Sequence, residues 1–80
     1  GPMQVRVRHF AVLRERRGCE EETVDVRPDE TVAELYGRLF PPGPGGALPV
    51  AFAVDHAYVS GDTRLRPGAE VAFIPPLGGG

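Results

Sequence analysis

The sequence predicts an α+β domain, a mixed sheet with one main helix packed across one face. Three observations carry that expectation. Apolar and polar residues alternate in several short runs. One segment switches to a helical period behind a capping signal. The proline and glycine punctuation falls between these segments more than within them. A sheet covered by a single helix is the economical way to bury such elements.

In chain order, Met3, Val5, Val7 and His9 alternate with Gln4, Arg6 and Arg8, a half-buried strand. The stretch Ala11–Arg17 has the make-up of a short helical turn, with Gly18 as its stop. Val24 and Val26, alternating with Thr23, Asp25 and Arg27, form a second strand, paired with the first in a hairpin with a long connection. Thr31 opens the clearest helix. Glu34, three residues on, completes a capping box in which each side chain satisfies a backbone N–H of the first turn. Val32, Leu35, Tyr36 and Leu39 then share one face. Gly37 costs this helix about 1 kcal/mol relative to alanine. Pro41–Gly46, "PPGPGG", ends it.

Val50, Phe52 and Val54 alternate with alanines, Asp55-His56 reads as a two-residue hairpin turn, and Ala57-Tyr58-Val59 returns. Leu65 plugs the core beneath a loop, and Glu70–Ile74 is the last strand. The order strand, strand, helix, strand, short strand, strand matches ubiquitin-like β-grasp domains, whose first and last strands lie parallel at the sheet centre. A ferredoxin-like layout needs a second full helix, and the proline-glycine loop stands where it would go. The expected organisation is residues 1–2 as an expression-tag scar, 3–74 as the β-grasp domain and 75–80 as an extended tail.

Composition narrows the function. Eighty residues make one small domain, which buries roughly 60% of its unfolded surface and leaves little room for an enclosed active site. The net charge is −2, from nine arginines and eleven acidic residues, with no basic stripe to suit nucleic acid. No apolar run approaches the ~20 residues of a membrane span, and no signal peptide is expected. Cys19 is the single cysteine, so no disulfide framework exists and a cytoplasmic location is expected. His9, His56 and Cys19 are scattered along the chain, and no metal site is expected. Cys19 lies in a loop with no histidine placed to activate it. No catalytic side chain is expected anywhere in the chain. All nine basic residues are arginine. Compositional bias explains that, and a chain with an activated C-terminus also gains by lacking an ε-amine to acylate.

The C-terminal stretch is the most specific feature. Val59–Gly80, "VSGDTRLRPGAEVAFIPPLGGG", resembles the end of the small, sulfur-carrying subunits of molybdopterin synthase, the MoaD-type proteins. Gly68–Phe73 matches that family's last strand, with Ala69 where aspartate is usual. Pro75-Pro76-Leu77-Gly78-Gly79-Gly80 matches its terminal diglycine motif. "FAVLRERRG" (Phe10–Gly18), Thr31–Leu35 and "AVDHAYVS" match three further segments, with Asp55 replacing an asparagine that such a turn equally tolerates.

The resemblance implies that Gly80 carries the chemistry through its carboxylate. An ATP-dependent activating enzyme adenylates it, a sulfur donor such as a cysteine desulfurase system converts it to a thiocarboxylate, and the large subunit, in a heterotetramer, uses that sulfur on a pyranopterin precursor. No tightly bound cofactor is implied, and ATP is consumed by the activating enzyme. Pro75 and Pro76 favour an extended thread projecting from the sheet. Gly78 and Gly79, lacking side chains, suit a narrow channel in a partner. By strand parity Phe10, Tyr58 and Ile74 face away from the core beside the tail, and with Arg14 on the rim they form the expected partner interface. Other readings remain: a carrier for thiamine, cysteine or tRNA thiolation, a ubiquitin-like modifier of lysines, and an interaction module with an inert tail.

Overall fold

The structure, a computed structural model, describes residues 3–76. The elements are β1 (Met3–His9), α1 (Ala11–Arg17), β2 (Glu21–Val26), α2 (Val32–Leu39), β3 (Ala51–Val54), β4 (Ala57–Val59) and β5 (Glu70–Ile74). The five strands form one sheet in the order β2-β1-β5-β3-β4. β1 and β5 run parallel, with Val7 opposite Val71 and His9 opposite Phe73. The pairs β1–β2, β3–β4 and β3–β5 are antiparallel. This is the expected β-grasp order, with first and last strands adjacent. Pro41–Gly46 supplies no second full helix; it turns back on itself, Gly46 N–H donating to Gly43 C=O at 2.9 Å.

Strand alternation sorts the two faces. Val5, Val7, Val71 and Phe73 are fully buried and meet Val32, Leu35 and Tyr36 of α2. Tyr36, Phe40, Phe52 and Phe73 fill the centre with ring centroids 5.0–6.1 Å apart. Such offset and edge-on contacts contribute about 0.5–1.5 kcal/mol each beyond the area they bury. Leu65 is buried beneath the loop that precedes β5.

The start of α2 is fully partnered. Thr31 Oγ1 accepts the Glu34 N–H at 3.1 Å and Glu34 Oε1 accepts the Thr31 N–H at 2.9 Å. The next two donors, Val32 N–H and Ala33 N–H, reach the carbonyls of Thr63 and Gly61 at 2.9 and 3.0 Å. That close approach is why residue 61 has no side chain: a Cβ there would lie 3.0 Å from Ala33 Cβ and 3.2 Å from a Phe52 ring carbon.

Asp55 and His56 adopt φ of 49° and 69°, the double left-handed geometry of a tight two-residue hairpin turn. Aspartate serves here because its carboxylate also accepts the Glu70 N–H at 2.9 Å, tying the turn to β5. Ala11 is likewise left-handed at φ 51°, a conformation that costs alanine about 1–2 kcal/mol. It is the first residue of α1, which buries Leu13 and is capped at its C-terminal end by Gly18, φ 76°.

Glu30 is the buried ionic anchor ahead of α2. Its side chain accepts from Arg38 Nε at 3.0 Å and from the Arg27 N–H at 2.9 Å. Burial alone pushes its carboxyl up, but these hydrogen bonds and the charges of Arg38 and Arg27 outweigh burial and hold it below the ordinary glutamate range. A carboxyl depressed on folding contributes stability above its unfolded pKa, and that contribution disappears as pH falls through its folded value. Glu30→Gln is therefore expected to lower stability by about 2 kcal/mol at neutral pH. Urea unfolding of both proteins at successively lower pH should show the gap closing once the wild-type carboxyl is protonated.

Candidate functional site

The face of the sheet opposite α2 carries a shallow depression of about 210 Å³. Its floor is made by Ala53 and Ala72, paired across β3 and β5. Its walls include Phe10, Tyr58 and Ile74, the three apolar residues that strand parity sends outward. Tyr58 is 76% exposed and Phe10 38%. Phe10 reaches this face differently from the sequence expectation. It is not the last residue of β1 but the N-cap of α1, at φ −128° and ψ 149°. The Arg8 guanidinium lies 5.6 Å from the centre of the Phe10 ring, within cation–π range.

One carboxylate organises the polar rim. Glu70 lies 3.1 Å from Arg6, 3.3 Å from His56 and 4.0 Å from Arg8. Arg14, expected on the rim, is not among the residues lining the depression. Its guanidinium lies 3.6 Å from Glu20, on the α1 side of the molecule.

β5 leads from this face into the tail. The sequence places both Pro75 and Pro76 in the projecting thread, but Pro75 is buried. It shares an apolar recess with Pro49, Val50, Ala51, Ile74 and Pro76. The segment after the proline-glycine loop thus clamps the root of the tail, and Pro76 is the first exposed residue. Leu77, Gly78, Gly79 and Gly80, and residues 1–2, expected from the sequence to be an expression-tag scar, lie outside the described residues.

The expectation that His9, His56 and Cys19 are scattered is corrected for His9 and Cys19, while His56 stays apart beside Glu70. The antiparallel pairing of β1 with β2 sets Val7 opposite Glu22, and it brings His9, Cys19 and Glu22 together. Their ligating atoms all lie within 4.8 Å of one another. His9, with 2% of its surface exposed, meets Glu22 Oε2 through Nε2 at 2.6 Å. An ionised carboxylate only accepts, so Nε2 carries the ring proton. Arg17 grips both Glu22 oxygens at 2.7 Å. That grip, against the opposing effect of burial and with help from His9, holds the Glu22 carboxyl at about 2. The Cys19 thiol donates to Glu22 Oε2 at 3.7 Å, and burial foremost, then Glu22, pushes its pKa up. Cys19 is therefore a protonated thiol near neutral pH, not an activated nucleophile. A histidine does stand near it, but the carboxylate between them accepts a hydrogen bond from each.

A mixed sheet grasping one helix, with the last strand running from the sheet centre to a clamped tail root, defines a ubiquitin-like β-grasp protein. Within that class the chain belongs to the ThiS family, whose model matches residues 7–80. It is 37% identical to the human molybdopterin synthase sulfur carrier subunit, over 96% of this chain and 94% of that protein. Its fold is similar to that of the H. volcanii small archaeal modifier protein 1, with a TM-score of 0.78 at 23% identity, covering 94% of this chain and 99% of the other. It is also similar to a chain in a complex of subunits 1 and 2 of the molybdopterin-converting factor from Helicobacter pylori, with a TM-score of 0.65 at 23% identity, covering 98% and 100%. Among the described residues no helix is long and apolar enough to cross a membrane.

Proposed function

We propose that this chain is the sulfur-carrying subunit of a molybdopterin synthase and that Gly80 carries the sulfur. The single observation behind this reading is end-to-end identity of 37% to a subunit of that name, in a chain closing on Pro-Pro-Leu-Gly-Gly-Gly. The human protein matches over 96% of this chain, and the family model runs from residue 7 to residue 80, so the family likeness includes the tail.

The chemistry follows from what a terminal carboxylate can do. A Gly80 carboxylate oxygen attacks the α-phosphorus of ATP on an activating enzyme, and pyrophosphate leaves. Hydrosulfide then attacks the acyl carbon, AMP leaves with the original oxygen, and a thiocarboxylate remains. Where the donor is the terminal sulfur of a persulfide, as on a cysteine desulfurase system, the attack gives an acyl disulfide. A thiol then breaks its S–S bond, leaving the thiocarboxylate on Gly80 and a disulfide on the donor side. The large subunit would supply the catalytic side chains that pass this sulfur to the pyranopterin precursor. This chain contributes reach and shape. Five residues beyond the buried Pro75 extend at most about 18 Å, at roughly 3.3–3.6 Å each, and the final glycines add no side chain to the thread.

The outer depression serves as the docking surface of the large subunit. It lies on the face away from α2, and Ile74 borders both it and the recess of the tail root. A partner seated there holds the departure point of the tail in register with its own channel. Binding at this surface is expected to depend on Phe10, Tyr58 and Ile74. Arg14, turned toward Glu20, is expected to contribute only at the margin.

Two measurements test this. Intact-mass spectrometry after incubation with the activating enzyme, ATP and sulfide should show one oxygen exchanged for sulfur at the C-terminus; an unchanged mass overturns the carrier role. Removal of Gly80 should abolish the exchange and leave the melting temperature unaltered. Separately, Ile74→Asp and Phe10→Asp should each weaken binding to the large subunit at least tenfold, about 1.4 kcal/mol, as read by calorimetry. Unchanged affinity in both variants would place the docking surface elsewhere.

A further inference from the structure

We propose that the junction of β1, the Gly18-Cys19 turn and β2 binds a borderline divalent metal such as Zn(II), with His9 Nε2, Cys19 Sγ and a Glu22 carboxylate oxygen as ligands. The set is a nitrogen, a sulfur and an oxygen donor, each of a kind that Zn(II) accepts. Cys19 and Glu22 lie three residues apart around the start of β2, and the fold brings His9 of β1 to them.

The spacing is close to what an ion needs. Tetrahedral coordination with metal–nitrogen and metal–oxygen bonds of about 2.0–2.1 Å and metal–sulfur bonds of about 2.3 Å sets neighbouring ligands roughly 3.3–3.6 Å apart. Cys19 Sγ and Glu22 Oε2 are already 3.7 Å apart. His9 Nε2 and Glu22 Oε2, at 2.6 Å, must open by about 0.7 Å, a side-chain adjustment of Glu22.

The ligands are also pre-positioned. The His9 side chain is 0% exposed and lies between the Phe40 and Phe73 rings, at centroid distances of 5.5 and 6.5 Å. It therefore has no rotamer freedom left to lose. Glu22 is steered from behind by Arg17. The Arg17 Nη2 contact survives on Oε1, while Oε2, turning to the ion, gives up its 2.7 Å hydrogen bond from Arg17 Nε. The contact that remains is an outer-shell support of the kind that orients metal ligands. Cys19 is half-buried and the Glu22 side chain is 21% exposed, which leaves an entry path and room for water as fourth ligand.

The protons balance. Binding releases the thiol proton of Cys19 to solvent. The ring proton of His9 leaves Nε2, and the ring is reprotonated at Nδ1. That atom is buried with no partner among the described residues, so coordination leaves one unpaired N–H in place of one unpaired acceptor. The site should consequently bind more weakly than closed four-ligand structural zinc sites. The thiolate charge offsets Arg17, so the ion is not repelled by an uncompensated cation.

The test uses the full chain with its thiol reduced. Zn(II) titrated by calorimetry should bind one ion per chain, and Co(II) should give a thiolate-to-metal charge-transfer band. Cys19→Ser and Glu22→Gln should each weaken Zn(II) binding at least tenfold, while His56→Ala leaves it unchanged. Nitrogen NMR of the unsubstituted protein reads the ligand directly, with Zn(II) shifting the His9 ring nitrogens and not those of His56. Equal affinity in the Cys19 and Glu22 variants, absence of the charge-transfer band, or shifts at His56 in place of His9 would overturn the assignment.

Discussion

The parallel pairing of β1 with β5 is the constraint on which the rest of the molecule depends. It joins strands from opposite ends of the chain, with Arg6 opposite Glu70 and His9 opposite Phe73. Its margin is secured by Arg6 N–H to Ala69 C=O at 2.9 Å and Gly68 N–H to Gln4 C=O at 2.7 Å. Parallel strands cannot be joined by a tight turn, so the whole intervening chain becomes the crossover. α2 lies within that crossover and covers the face that Val5, Val7, Val71 and Phe73 make apolar. Because the two strands run the same way, they also finish at the same end of the sheet. Phe10, the start of α1, the His9–Cys19–Glu22 group and the root of the tail are neighbours for that reason.

The same pairing separates stability from recognition within a single strand. Val71 and Phe73 are fully buried, while Ala72 and Ile74 line the outer depression or the tail recess. A one-residue slip of β5 would exchange the two sets, exposing Phe73 and burying Ile74 against α2. The register is defended on the outer face as well. Glu70 is held by Arg6 and His56, and its N–H by the Asp55 carboxylate. Exposed ion pairs of this kind contribute little energy singly. Their value here is positional, since they bind the β3–β4 turn and β1 to the same residue of β5.

Most of the fold was legible because local signals agreed with one another. The capping box at Thr31 and Glu34, the α2 stripe, the left-handed turn at Asp55-His56 and the stop at Gly18 all depend on neighbours within a few residues. The outward direction of Tyr58 and Ile74 was legible from alternation alone. Three features were not. Pro75 reads as the first residue of a thread, yet Pro49 and Val50, some 25 positions earlier, cover it. Arg14 reads as a rim residue, but its guanidinium lies beside Glu20 and not among the residues lining the depression. Cys19 and Glu22 are three residues apart, but the third member, His9, joins them only through the β1–β2 register, which no local motif announces.

By itself, then, the sequence determined the order of the elements, the residues of the core and a C-terminus fit for extension, and the Pro-Pro-Leu-Gly-Gly-Gly ending pointed to its family. Those properties follow from periodicity, capping and backbone freedom, which act over one to four residues. The tertiary structure alone decided where the tail departs, which small residues floor the outer depression and which polar groups share a site. Each of these requires the distance between residues far apart in the chain, and that distance is fixed only when β1 and β5 pair.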